Sequence, residues 1–289
     1  MLAKNETVYY NVICIARRIV NIAAGGLILI GFNITTATCV NNRGIGKPNE
    51  DLIAVDADNR IFLMLDGITR PNQEYDGSGD SPACAVDRIL RDAIMPEAKR
   101  LSLISDEQTL ELELRKTLVA ANAKLISYRE QKSKREWFDY YPGAVGIAAA
   151  FTGDRLCCVW AGDCIGLLLR DGARTLLTRQ QTLKVAKSGY SKQRIYDEVC
   201  NHPQSDMAYG IFNGDPELAV LLESSWTDIK SGDTVLLSSD GMAAFLQNEP
   251  PKTIAAFSAD EMLTASAPYD VMPYSPYADD KAVIRIDFN

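Results

Sequence analysis

The sequence predicts an α+β fold in which helices pack outside antiparallel sheets. Two observations lead there. Strand-like and helix-like text is segregated along the chain: short strands, two helices, a long run of strands, a helix and a closing strand. Segregation of this kind favours antiparallel sheets with helices outside them over an alternating βαβ pattern. The second observation is a pair of acidic signatures far apart in the chain, each following an apolar run. Ile61-Phe62-Leu63-Met64-Leu65 delivers Asp66-Gly67, and Thr234-Val235-Leu236-Leu237-Ser238-Ser239 delivers Asp240-Gly241. Carboxylates placed at strand ends can converge on one rim of a sheet.

The elements follow in order. Residues 33–40 are rich in β-branched side chains and read as a strand. A glycine-containing loop covers 41–48. Residues 52–55 and 61–65 form a hairpin turning at Asp56-Ala57-Asp58-Asn59. Residues 68–80 are polar and glycine-rich, hence a loop. Ser81 caps a helix with Pro82 at its first position, and Val86, Ile89, Leu90, Ala93 and Ile94 follow at helical spacing. Ser105 and Gln108 match a capping box for a second helix. Its stripe is Leu110, Leu114, Leu118, Ala121 and Leu125, and it runs out in the charged stretch 129–136.

Strand text then takes over. Residues 145–151, 156–161 and 165–169 are apolar runs split by Gly153-Asp154 and Gly162-Asp163. Asp171-Gly172 is a hairpin turn leading into 175–178. Residues 179–215 have no strong periodicity and read as a mobile flap. Strands are expected again at 218–222 and 235–238, a helix from 242 to 247, a loop over 264–278 and a closing strand at 283–287. There is no internal repeat, low-complexity tract or Pro/Gly linker to divide the chain.

Composition narrows the function. The 289 residues carry a formal net charge of −8 and no long basic stretch, which argues against nucleic acid or anionic membrane as the main partner. Seven cysteines form no CxxC pair and no zinc pattern. Free thiols in strand-like text fit a reducing, cytoplasmic protein. The single histidine, His202, disfavours histidine-rich metal sites and a Ser-His-Asp triad. Residues 19–32 are apolar apart from Asn21 and follow Arg17-Arg18, but a membrane span needs ~20 apolar residues. The expectation is a buried or partner-facing extension over 1–32, with a targeting or membrane-associated segment as the alternative.

Seven segments, in order, carry a resemblance: Lys47-Pro48-Asn49-Glu50-Asp51, Leu65-Asp66-Gly67, Gly143-Ala144-Val145, Ala161-Gly162-Asp163, Leu177-Thr178, Gly232-Asp233 through Ser239-Asp240-Gly241, and Asp279-Asp280. Each alone is weak, because Asp-Gly is chiefly a turn dipeptide. Together they resemble the metal-dependent serine/threonine protein phosphatases of type 2C, in the style of bacterial members, over residues 34–287. The resemblance implies two stacked antiparallel sheets flanked by helices, an α-β-β-α sandwich with the metal site at one end, filling residues 33–289.

It also implies a site. Asp66 would bridge two Mg²⁺ or Mn²⁺ ions, with Gly67 offering its carbonyl. Asp240 and Asp279 would complete one ion's shell, and Glu50 and Asp51 would hold the other. Asp139 is the candidate for a third, looser ion. Hard oxygen donors of this kind suit Mg²⁺ or Mn²⁺ better than zinc. Two such ions ~3.5–4 Å apart activate a bridging water and neutralise charge on the phosphoryl group. The implied activity is hydrolysis of phosphoserine and phosphothreonine in proteins, with Asp66 and Asp240 at its centre and a regulatory partner as a further expectation.

Three departures from the family pattern stand out. Lys47 or the more distant Arg43 replaces the arginine that often binds substrate phosphate, and Lys lacks the bidentate fork. Ile68 stands where eukaryotic members often place a proton-donating histidine. Ala282 occupies a position usually held by Thr or Ser. The first two motivate an alternative, a pseudophosphatase that binds phosphoproteins without turnover; a small-molecule phosphomonoesterase is the other. His202 is either a structural loop residue or a group facing substrate across the cleft.

Overall fold

The computed structural model describes residues 10–11, 31–40, 48–68, 81–133, 142–273 and 279–289. Expectations for the apolar extension 1–32, apart from Tyr10–Asn11 and its last two residues, and for most of 41–48 and 69–80 fall outside them.

Tyr10–Asn11 (β1) and Phe32–Cys39 (β2) are followed by the hairpin Asp51–Asp56 (β3) and Ile61–Gly67 (β4). Helices Pro82–Ile94 (α1), Ala98–Ser102 (α2) and Glu107–Ser133 (α3) come next. Then come Ala144–Thr152 (β5), Arg155–Ala161 (β6), Ile165–Arg170 (β7) and Ala173–Leu176 (β8). Short helices Leu183–Ala186 (α4), Lys192–Glu198 (α5) and Leu218–Leu221 (α6) precede Glu223–Asp228 (β9) and Thr234–Ser238 (β10). Ala243–Asn248 (α7), Pro251–Ala256 (α8) and Ala259–Ser266 (α9) lead to Lys281–Phe288 (β11).

The strands form two antiparallel sheets, ordered β1-β2-β11-β10-β7-β8 and β3-β4-β5-β6-β9. Three apolar cores show how they stack. One is shared by the facing sides of both sheets, with Phe62, Met64, Ile147 and Trp160 from one and Val235, Leu237, Ile284 and Ile286 from the other. A second joins the outer face of the β4 sheet, through Ile61, Leu63 and Leu65, to α1, α2 and α3. The third covers the outer face of the β10 sheet with α7, α8 and α9. The predicted α-β-β-α sandwich is therefore the observed one. Alternation along each strand explains it: odd and even positions of β4 feed different cores.

The two ends of the sandwich differ. Phe32, Phe62, Phe151 and Phe288 gather at one end, with Phe62 edge-on to Phe151 at 5.7 Å and Phe151 tilted to Phe288 at 5.4 Å. The antiparallel registers place the start of β3, the end of β4, the end of β10 and the start of β11 at the other end. That end is acidic.

Local chemistry accounts for most boundaries. The Ser81 side chain accepts from the Cys84 N–H at 3.2 Å, capping α1 with Pro at its first turn. The α3 stripe is buried throughout, from Leu110 to Leu125. Its cap differs from expectation: Asp106, not Ser105, accepts from the Thr109 N–H at 2.8 Å and its hydroxyl at 2.6 Å. A carboxylate is the stronger acceptor for the exposed N–H groups of a helix start. Asp171 and Gly172 both adopt positive φ, 52° and 75°, the tight hairpin turn their sequence predicts. The strand after it is Ala173–Leu176, two residues earlier than read.

Two further readings are corrected. Residues 218–222 hold the helical turn α6, not a strand: Leu218 and Leu222 are buried while Ala219 and Val220 face solvent, which is helical rather than alternating spacing. The strand is the next segment, β9, whose Glu223-Ser224-Ser225-Trp226 text has too few apolar residues to declare itself. Residues 264–266 complete α9 instead of opening a loop; Ser258 and Glu261 form a reciprocal capping box at its start.

Buried polar anchors tie helices to sheets. Lys281 is 2% exposed and donates to Ser266 Oγ at 2.7 Å, and its ammonium lies 2.5 Å from Asp270. This fastens the end of α9 to the strand that follows Asp279-Asp280. Arg285 donates to the carbonyls of Ala255 and Phe257, closing the C-terminal end of α8 where unpaired carbonyls need donors.

Candidate functional site

The acidic rim is assembled from the ends of six strands. β3 and β4 pair in register, with Asp51 opposite Asp66. Alternation turns both into the space between the sheets, the side of Ile53, Val55, Phe62 and Met64. Glu50 and Gly67 share the other parity, the α1 side of Leu52 and Leu65. Asp163 lies in the turn from β6 to β7. Asp240 follows β10, and Asp279-Asp280 precede β11.

Hydrogen bonds lock the parts together across large sequence distances. The Glu50 N–H donates to Asp280 Oδ2 at 2.9 Å, and the Gly67 N–H donates to the Glu50 carbonyl at 2.8 Å. Ser239 is the hub. Its hydroxyl donates to Asp51 Oδ2 at 2.6 Å and accepts from the Ala282 N–H at 2.9 Å. Its own N–H donates to the Ala282 carbonyl at 3.1 Å. Ala282 lacks a hydroxyl of its own, and the main chain at that position is engaged by Ser239 instead. Thr182 holds Asp163 with a 2.8 Å hydrogen bond.

Gly241 is where two segments touch. A Cβ there would lie 2.0 Å from the Asp280 carbonyl, a contact no side chain can make without moving backbone. Gly241→Ala is expected to push the Asp240 and Asp279-Asp280 segments apart. Strain of this kind costs about 1–3 kcal/mol, so thermal unfolding should show a lowered midpoint.

These carboxylates lie near enough to act on one another's charge. Asp51 and Asp66 keep partial access to solvent at the rim yet sit deep among protein atoms. Burial first, and then neighbouring charges, push both well above the ordinary carboxylate range; Asp280, Asp240 and Asp279 act on Asp51, and Asp51, Asp240, Asp163 and Asp279 act on Asp66. The Ser239 hydrogen bond partly offsets this at Asp51. Asp163 is also raised, chiefly by burial, with Asp279 adding to it. Such a cluster takes up protons when uncompensated, and cations compensate it.

The donor set is all carboxylate, hydroxyl and carbonyl oxygen, which fits Mg²⁺ or Mn²⁺ by chemistry. As placed, no three acidic, histidine or cysteine side chains among the described residues converge closely enough to chelate one ion. Mutual repulsion and the hydrogen bonds to Ser239 and the Glu50 N–H hold Asp51 and Asp280 in their own directions.

Of the residues singled out from sequence, Glu50, Asp51, Asp66, Gly67, Asp240 and Asp279 all belong to this rim. Arg43, Lys47 and Asp139 lie outside the described residues. His202 is exposed in a turn, its N–H donating to the Val199 carbonyl at 3.2 Å. Sequence reasoning left three members unassigned: Asp163, Ser239 and Asp280. Each stood inside a quoted motif, but only the contacts give it a partner. Asp233, by contrast, is a brace, accepting from Arg170 at 2.6 and 2.8 Å.

No family model matches the chain, and no curated protein matches it in sequence. Solved structures match its fold. PppA, a key regulatory component of T6SS in Pseudomonas aeruginosa, superposes with a TM-score of 0.62 at 18% identity, over 89% of this chain and 98% of that one. The Mycobacterium tuberculosis serine/threonine phosphatase PstP/Ppp does so with a TM-score of 0.61 at 20% identity, over 90% and 99%. A catalytic domain of the phosphatase PstP in complex with two manganese ions gives 0.58 at 21% identity, over 90% and 99%. The chain has the fold of the bacterial serine/threonine phosphatases.

Proposed function

We propose that this chain, built on that fold, is a metal-dependent phosphatase that hydrolyses phosphoserine and phosphothreonine in proteins. The observation that carries the reading is the rim itself: Asp51, Asp66, Asp163, Asp240 and Asp279 come from segments far apart in sequence and act on one another electrostatically. Structure alone has no use for such a cluster, because burying like charges is unfavourable.

In this reading two Mg²⁺ or Mn²⁺ ions would be held here: Asp66 would serve both, Asp240 and Asp279 one, and Glu50, Asp51 and the Gly67 carbonyl the other. Manganese bound to the PstP catalytic domain supports the choice of ion. Ions at such a rim supply Lewis acidity to the phosphoryl group and lower the pKa of the attacking water. The protein's own contribution is to hold the carboxylates in place. Ser239 fixes Asp51, and the Glu50 main chain is fixed by Asp280. Arg43 or Lys47 binds the substrate phosphate, and Asp139 is the candidate for a further ion. Ile68 offers no proton, so water or another acid would protonate the leaving oxygen.

The test is hydrolysis of a phosphothreonyl peptide and of p-nitrophenyl phosphate, with Mn²⁺ and with EDTA. Mn²⁺-dependent turnover of the peptide, unchanged in His202→Ala and lost in Asp240→Ala, is the expected result. Folded protein that binds the peptide without turnover would replace the phosphatase reading with a phosphoprotein-binding module. Preference for small phosphate esters would move the substrate to a metabolite.

A further inference from the structure

Asp87 is the oddest residue among the helices. It sits on α1 in the stripe Ala83, Asp87, Leu90, Ile94, whose spacing of four, three and four residues defines the face turned to the sheet. The other three are 0% exposed. Asp87 is 1% exposed, and neither of its carboxylate oxygens has a hydrogen-bond partner. An unpaired buried polar group costs about 1–3 kcal/mol, and more if charged. Any aliphatic side chain would serve the packing of α1 better.

Its position gives a reason. α1 packs on β3 and β4 at the acidic end. An Asp87 oxygen lies 3.1 Å from where a Cβ at Gly67 would stand, beside the Glu50 carbonyl at 2.7 Å from the same point. The charges acting on it are Asp51 and Glu50. No salt bridge to it is seen among the described residues: Arg91, one turn further along the helix, pairs with Asp92 at 2.8 Å instead.

The geometry points to Asp87 as an additional acidic member of the metal site, reaching from α1 behind Gly67 to stabilise a divalent cation at the Glu50–Gly67 end. The assignment rests on the metal-dependent reading above. Asp87 adds negative charge and two free acceptor oxygens where Glu50 and the Gly67 carbonyl are the other donors. Acceptors of this kind hold a cation directly or through its hydration water, and partners behind primary ligands commonly govern affinity by about 10- to 100-fold. Asp87 also ties the ion to the packing of α1, so that loading the site and seating the helix favour each other. In metal-free protein the same carboxylate is a burden to the fold.

Two opposed readouts follow. Mn²⁺ binding to the full chain is measured by isothermal titration and by the electron paramagnetic resonance of free Mn²⁺, for wild type, Asp87→Asn and Asp87→Leu. Thermal melting in EDTA is recorded for the same three proteins. Both variants are expected to weaken one Mn²⁺ site by about 10- to 100-fold while melting at or above the wild-type temperature in EDTA. Asp87→Asn keeps the shape of the side chain, and Asp87→Leu completes the apolar stripe, so at least one folds. Unchanged Mn²⁺ isotherms in both variants would overturn the assignment and leave the phosphatase reading intact, since wild type still binds. Variants that melt lower with unaltered Mn²⁺ affinity would make Asp87 a structural residue, which also overturns it. A wild type that binds neither Mn²⁺ nor Mg²⁺ at millimolar concentration would remove the metal reading and this assignment together.

Discussion

Asp66→Asn should abolish Mn²⁺-dependent phosphate ester hydrolysis while leaving the fold intact. The expected loss in kcat/KM is at least about 10³-fold, equivalent to ~4 kcal/mol of charge stabilisation. Asp66 lies at the centre of the rim: Asp51, Asp240, Asp163 and Asp279 all act on it. Asn keeps the volume and the β3–β4 register but removes the charge that would hold two cations. It also relieves repulsion in a site where burial already disfavours the carboxylate. The variant should therefore melt no lower than wild type in EDTA and lose most of the Mn²⁺-induced stabilisation. Activity retained within tenfold of wild type would remove Asp66 from its bridging role.

The second large effect is a reversal of pH dependence on metal binding. Asp51, Asp66, Asp87 and Asp163 have folded-state values raised above the ordinary 3.8, first by burial. A group whose pKa is raised by folding binds more protons in the native than in the unfolded state. Stability then falls as pH rises from the ordinary value through the raised one. Metal-free protein should accordingly gain stability from this cluster as pH drops through the raised values toward the ordinary 3.8. Saturating Mn²⁺ replaces protons as the compensating charge, so the trend should flatten or invert. At an ion concentration 100 times its dissociation constant the stabilisation is about 2.7 kcal/mol. For a chain of this size that is a midpoint shift of about 4–5 °C. Parallel melts across that pH range, in EDTA and in Mn²⁺, measure it. Identical slopes in both conditions would mean that the rim carboxylates are compensated by the protein itself.

A fold at 18–21% identity to its structural relatives leaves the specific chemistry to these particular residues. The rim gathers its acidic members on supports drawn from this chain's own residues. Ser239 secures Asp51 and the main chain at Ala282, and Lys281 fastens the following strand to α9. Ile68 and Ala282 stand beside these carboxylates, each next to an acidic segment of the rim.

The sequence by itself determined most of the strands and helices and their segregation along the chain; the stacking of two sheets into a sandwich was implied by the resemblance that the ordered motifs carry. The β-branched run at β2, the apolar runs at β4, β5, β6 and β10, the Asp171-Gly172 turn, the Ser81-Pro82 cap and the Leu110–Leu125 stripe are local signals. Short-range sterics and burial on one face are enough to express them. Where local signals were thin, the reading failed: β9 has a half-polar strand text, and residues 218–222 are five apolar residues in a row that satisfy either period. Glu50, Asp51, Asp66, Asp240 and Asp279 were legible because each terminates or precedes an apolar run in a recognisable order.

Only the tertiary structure decided what surrounds them. The environment of a carboxylate is set by contacts across more than a hundred residues, such as Ser239 with Asp51 and Asp280 with Glu50. Asp163 joined the rim because the β6–β7 turn happens to open onto it. Nothing in the local sequence marks Asp87; only packing removes solvent from both its oxygens. Periodicity records which face a residue takes; whether that face meets a neutral core or a ring of charge depends on how the layers stack.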